Sequence, residues 1–210
     1  MSENDGGVLL DCAETSADAL LKRLTMYRLR AKVELARRGD LAVFWNGENS
    51  GDPRLPALGQ RGIATSADAS DGDSRTYLLR RLELGVPEGA DFGSDKMFAL
   101  DAGLEELHGV SFSKGCYIGQ ELTARMKHRG TARKRLLPII TEGDVELPPP
   151  GSEIRASALS LGEIVSVYGS RGFGLIRLDR WQEAGDVAVR AGEQDIRIVK
   201  PAWLTGGEGP

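Results

Sequence analysis

Cysteine and histidine are scarce in this sequence, with two of each in 210 residues. Cys12 and Cys116 cannot build a disulfide framework, there is no Cys-x-x-Cys pair, and neither His108 nor His128 has a partner at ligand spacing, so a self-contained metal site is excluded. No run of 18 or more apolar residues exists, which excludes a membrane-spanning helix of ordinary length. The start, Met1 to Asp5, is polar and acidic where a secretory leader would be basic and then apolar. Aromatic residues make up only 6%, few for a surface that stacks on nucleic-acid bases. These absences leave an ordinary globular composition, 40% hydrophobic and 28% charged, suited to one domain or two modest ones, with a cytoplasmic location as the default.

The net charge of -4 conceals an uneven distribution. Residues 1–110 hold 13 basic and 19 acidic side chains, residues 111–135 hold 7 and 1, and residues 136–210 hold 7 and 11. A positive segment in an otherwise acidic chain attracts anions: a carboxylate tail, a phosphate or nucleic acid.

The hydrophobic pattern divides the chain at the same place. Val8–Cys12 reads as a strand with Cys12 inside it, and Thr15–Asp18 as a helix start. Leu20, Leu21, Leu24 and Tyr27 then supply the apolar stripe of an amphipathic helix. Val33–Ala36 and Leu41–Trp45 read as strands, Gly47–Asp73 as surface loop, Tyr77–Leu84 as a helix ending at Gly85, and Asp101–Leu107 as another. After Arg135 the texture becomes short β-rich runs: Leu136–Thr141, Glu163–Tyr168, Phe173–Leu178, Val187–Arg190 and Ile196–Val199. The fold class expected is α+β, with a body over 1–133 and a small β-barrel over 134–210, and Gly206–Pro210 as a frayed tail.

The chemistry concentrates where body meets barrel, a favoured place for ligands. In Ser-Phe-Ser-Lys-Gly-Cys-Tyr-Ile-Gly-Gln-Glu-Leu-Thr-Ala-Arg, residues 111–125, Gly115 and Gly119 permit a sharp loop that carries Cys116 and Tyr117. Leu122–Lys127 reads as a short helix stopped by Gly130. A cysteine just before a helix start, two residues from Lys114, has the surroundings that favour a thiolate, the nucleophilic and metal-binding form.

Lys114-Gly115-Cys116-Tyr117-Ile118-Gly119-Gln120-Glu121 resembles the K-G-C-[FY]-x-G-Q-E signature of the YgfZ family, folate-binding relatives of the glycine cleavage T-protein that include mitochondrial iron-sulfur assembly factors. Arg125, Lys127, Arg129 and Gly130 fit the continuation of that signature, and Arg81-Leu82-Glu83-Leu84-Gly85 is similar to the R-L-E-A-G helix of T-proteins. Members of the family carry a further segment ahead of the position of Val8. The resemblance implies a T-protein-like body and a small barrel, with tetrahydrofolate as ligand. It also implies a role in assembly or repair of iron-sulfur enzymes, including those that modify transfer RNA. Cys116 with Lys114 would be the chemical centre, with any iron-sulfur cluster held only transiently, and the partners would be assembly proteins or client enzymes. Glu83, Tyr77, Tyr117, Gln120, Glu121 and Arg125 become candidate folate contacts: a carboxylate such as Glu83 can accept the paired N–H donors of a pterin, and Tyr77 can face a ring. In a eukaryote the resemblance places the protein in the mitochondrial matrix. A folate-dependent one-carbon transferase and an RNA-binding module are the alternatives. The cysteine disfavours the first, since one-carbon transfer gains little from a thiol. Overall acidity disfavours the second.

Overall fold

The computed structural model of the chain describes residues 2–4, 6–47, 51–66, 73–94, 96–128, 133–143 and 145–204. A hairpin, β1 (Ser2–Asn4) with β2 (Gly7–Leu9), leads to α1 (Glu14–Arg28). The first apolar run therefore stops pairing at Leu9, and Cys12, expected inside a strand, is exposed beyond it. Leu20, Leu21 and Leu24 of α1 are half-buried, as their spacing predicts, but Tyr27, expected on the same stripe, is exposed near the helix end. Val33–Ala36 forms no strand; the Arg28 guanidinium donates to the Val33 carbonyl at 3.1 Å, occupying an acceptor that a ladder would use.

β3 (Leu41–Asn46) pairs antiparallel with β4 (Gln60–Thr65), which lies in the stretch read as loop. Gly62 makes that pairing possible: a Cβ there would fall 2.5 Å from the Phe44 ring that lies across it. α2 (Ser74–Leu84) forms where its pattern predicts, capped by the Asp73 carboxylate, which accepts from the Arg75 N–H at 2.9 Å. It ends at Gly85 in the left-handed conformation, φ 68°, and a Cβ at Gly85 would sit 2.5 Å from Pro138 and 2.8 Å from Pro201. At that glycine the body's backbone comes close to the barrel, with no room for a side chain. A single turn, α3 (Gly89–Phe92), follows. Asp101–Leu107, expected as a helix, is a chain of turns instead, because Gly103 takes φ 72° with the Trp203 ring in the space its side chain would need. α4 (Gln120–His128) completes the body; Arg129 and Gly130, read as its end, lie outside the described residues, as does Gly206–Pro210.

The barrel comprises β5 (Lys134–Thr141), β6 (Glu153–Ala156), β7 (Leu159–Tyr168), β8 (Arg171–Arg177), β9 (Val189–Ala191) and β10 (Gln194–Ile198), with α5 (Leu178–Ala184) between β8 and β9. Pairing runs β10-β5-β8-β7-β6-β9 and closes, antiparallel throughout, so no strand edge is left open. Leu137, Ile139, Ile154, Leu161, Ile164 and Ile176 fill the interior. A mixed α/β body followed by a small closed barrel is the fold class expected.

Two smaller clusters join the halves. Leu82 of α2 packs with Leu136 and Phe173 on the outside of the barrel. Leu58, Val86 and Leu107 close against Trp203, whose indole N–H donates to the Leu84 carbonyl at 2.9 Å.

Candidate functional site

Residues 111–119 form an irregular loop braced by short-range bonds: the Lys114 N–H donates to the Ser111 hydroxyl at 3.3 Å, and the Tyr117 N–H to the Gln120 side chain at 3.4 Å. Gly119 takes φ 88°, a left-handed conformation that turns the loop into α4. Cys116 is exposed in this loop. The Lys114 ammonium lies 4.8 Å from the centre of the Tyr117 ring. Beyond the thiol the surface is apolar, with Ile118 80% exposed and Leu122 47%. Tyr117, Gln120, Glu121 and Arg125 come together around a groove of about 530 Å³, and the buried Tyr117 hydroxyl has no hydrogen-bond partner among the described residues.

The positive segment is less bare than its sequence implies. Glu121 pairs with Arg125 one turn along α4, Glu105 with Lys127, and Glu106 with Arg135 at 3.0 Å. The two latter carboxylates arrive from the preceding turns, so the acidic stretch folds back on the basic one. Lys127 also lies 4.1 Å from the centre of the Phe112 ring.

Glu83 and Tyr77 do not share a cavity. Six residues apart, they project from faces of α2 roughly 120° apart. Glu83 is exposed and pairs with Arg80 at 2.9 Å. The Tyr77 ring meets Trp45 edge-on at 5.5 Å, and its hydroxyl donates to Glu88 while accepting from Arg54 at 3.0 Å. Burial and the bond to Glu88 push this phenol above its ordinary range. As placed, Glu83 and Tyr77 have separate partners and do not hold one pterin ring between them.

The strongest polar constellation is one that sequence reasoning missed. Arg81 and Asp91, each 2% exposed, pair at 2.6 Å. Asp91 also accepts from the Glu88 N–H at 2.8 Å and, across to β7, from the Ser166 hydroxyl at 2.7 Å and the Tyr168 phenol at 2.8 Å. The Arg81 guanidinium lies 5.3 Å from the centre of the Tyr168 ring and 5.8 Å from that of Phe173. Outward from Arg81 the network continues through Glu88 to Arg54 and buried Asp52. Burial alone would raise the Asp52 and Glu88 carboxyls; the hydrogen bonds from Arg54 to Asp52, and from Tyr77 and Arg54 to Glu88, more than offset it and hold both below their usual range. Every carboxylate here is bonded, so the network orients the body on the barrel and has no atom left for chemistry. The Pro-Glu-Gly-Ala-Asp run that carries it has no hydrophobic pattern, and Arg81, between Arg80 and Leu82, carries no local sign of burial.

Residues 133–206 match the family described as the CAF17, C-terminal beta-barrel domain. The whole arrangement, a mixed body with an exposed cysteine loop followed by this barrel, therefore falls among proteins with a barrel of that type. Among curated proteins, the chain is 30% identical to the iron-sulfur cluster assembly factor IBA57, mitochondrial, of Mus musculus, over 96% of this chain and 65% of the relative. It is 34% identical to the protein of that name from Homo sapiens, over 89% and 60%. A homolog from Coccidioides immitis is 27% identical over 94% and 65%. The chain spans 60 to 65% of the length of these three relatives and about 40% of two other fungal homologs of the same name. No helix among the described residues is long and apolar enough to cross a membrane.

Proposed function

We propose that this protein serves in the assembly or repair of iron-sulfur proteins, with Cys116 as reactive thiol or as a ligand shared with a partner, in the manner of the YgfZ family that its signature resembles. The observation that carries the reading is the Cys116 loop: an exposed thiol in irregular chain just ahead of α4, with exposed Ile118 and Leu122 following it in sequence, a surface a partner protein can cover. The mouse and human relatives are mitochondrial iron-sulfur cluster assembly factors by name, which agrees in kind, and in a eukaryotic cell their location would be this protein's too. The cluster is cargo. No group of three or more His, Cys, Asp or Glu side chains able to hold a metal exists among the described residues. One thiolate falls short of the four protein ligands a cluster usually takes, so the remaining ligands come from the partner or from a free thiol.

Tetrahydrofolate belongs to the same proposal as a ligand of the body, with Glu83's exposed carboxylate as its contact. Support for it is the resemblance alone.

The test is complementation in cells lacking their own factor of this type, read as activity of iron-sulfur enzymes, transfer-RNA-modifying ones included. Cys12 is also exposed, so Cys12→Ser is the matched control. Cys116→Ser should accumulate folded and fail, and Cys12→Ser should succeed. Full complementation by Cys116→Ser overturns the proposal. Calorimetric titration with tetrahydrofolate tests the ligand separately: Glu83→Ala should weaken binding by about 1.5 to 3 kcal/mol, the loss of a charged hydrogen bond. Unchanged affinity removes Glu83 from the site.

A further inference from the structure

A second cavity, of about 730 Å³, opens between body and barrel at a place the Cys116 reading does not use. Met97, Phe98, Met126 and Leu175 give it apolar walls, and Phe98 is half exposed with its ring available to a ligand. Four cations line it as well, Lys96, Arg133, Lys134 and Arg177, against a single carboxylate, Asp101.

Two features make this a built site and not a cleft between halves. First, Lys134 and Arg177 are direct partners across the β5–β8 ladder. Like charges set opposite each other on a sheet repel. Arg177 is relieved by Asp179 at 2.9 Å, a carboxylate that also feels Arg133, while Lys134 and Lys96 have no ion pair among the described residues. Positive charge is thus in excess at one end of the cavity. Second, Asp101 is 8% exposed, yet its carboxyl oxygens enter no hydrogen bond among the described residues. Its backbone carbonyl accepts from the Leu136 N–H at 2.8 Å, which fixes the residue to β5. With its backbone fixed and its carboxyl on the cavity wall, Asp101 offers an acceptor that a ligand donor can reach. Burial also pushes this carboxyl upward despite Arg135 and Lys134 nearby.

We propose that this cavity binds a small molecule with a doubly charged anionic head on an apolar body, the head against Lys134, Arg133 and Arg177, the body against Phe98 and Met126, and a ligand hydroxyl or N–H on Asp101. A phosphate monoester and a pair of adjacent carboxylates share the required charge. The inference is independent of what Cys116 does.

Calorimetric titration of the full chain tests it with 1-naphthyl phosphate and naphthalene-1,8-dicarboxylate as probes, and inorganic phosphate and 1-naphthol as their halves. At least one aromatic dianion should bind about tenfold more tightly than either half, since it joins a charged contact to a buried ring. The tighter of the two identifies the head group. Lys134→Gln should weaken that probe about tenfold, and Arg190→Gln, on β9 outside the cavity, should not. Phe98→Ala, at an exposed position that folding does not need, should weaken the aromatic probe and leave inorganic phosphate unchanged. Cys116→Ser should bind as the unaltered chain does. If neither dianion binds better than inorganic phosphate, or if Lys134→Gln and Phe98→Ala both titrate like the unaltered chain, the proposal is wrong.

Discussion

Asp101 shows how a single carboxyl can make stability depend on pH in the direction opposite to its neighbours. Burial raises its native value above the unfolded one, so the native state prefers the proton: its contribution is most favourable at low pH and declines as pH rises through the window between the two values. Asp52 and Glu88 are depressed, and theirs is full above the unfolded values, about pH 4, and lost as pH falls through the native ones. Asp101→Asn should therefore gain stability relative to the unaltered chain as pH rises from about 4, with the difference flat below that. Urea unfolding at several pH values measures it; a difference independent of pH would show that Asp101 does not titrate between the states. At this scale the sequence was legible where chemistry is local. The turn at Gly119 and the loop that exposes Cys116 are both legible from the residues beside them. The partners of Asp91 lie 75 and 77 residues further on, at Ser166 and Tyr168, and no local pattern announces them.

Elements were legible in proportion to how much of their own ends and faces they carry. α2 has its cap in Asp73 and its stop in Gly85, and it formed where read. β4 was missed because Gln60–Thr65 offers one large apolar side chain, and its pairing rests on Gly62 accepting the Phe44 ring. β6 is four residues long and is held by β7 and β9 on either side, a closure only the finished barrel provides. α4 is the informative contrast: it has good spacing and no buried residue. A helix without an apolar anchor opens locally at low cost, whereas a central strand opens only when the barrel does. Hydrogen exchange should find amides of Met126 and Arg125 exchanging at least about a hundredfold faster than those of Ile139 and Phe173. Equal protection would mean that α4 is covered in solution by something that binds it.

At the scale of the whole molecule, the division into body and barrel could be read from the change of texture after Arg135. The cross-bracing could not, because it joins residues far apart in sequence: Asp91 to Ser166 and Tyr168, Leu82 to Phe173, and Trp203 back to the body. Its indole N–H reaches Leu84 and its ring occupies the space beside Gly103. Trp203→Ala should cost about 3 kcal/mol, toward the low end for a large aromatic because the residue is only partly buried. One cooperative thermal transition should remain, shifted downward. Two separated transitions in the variant, where the unaltered chain shows one, would mean that Trp203 alone couples body and barrel and that the Asp91 and Leu82 contacts do not suffice.

The same tryptophan sets a timetable for synthesis. Leu84 leaves the ribosome 119 residues before the side chain that bonds its carbonyl. At ordinary rates of translation that is an interval of roughly 6 to 24 s. Leu58 is already made when it begins and Val86 and Leu107 are added early in it, and all three then lack the ring that closes over them. A nascent body therefore presents an unfinished apolar patch while the barrel is still being synthesised, and that interval, not the finished fold, is when the protein most needs a chaperone.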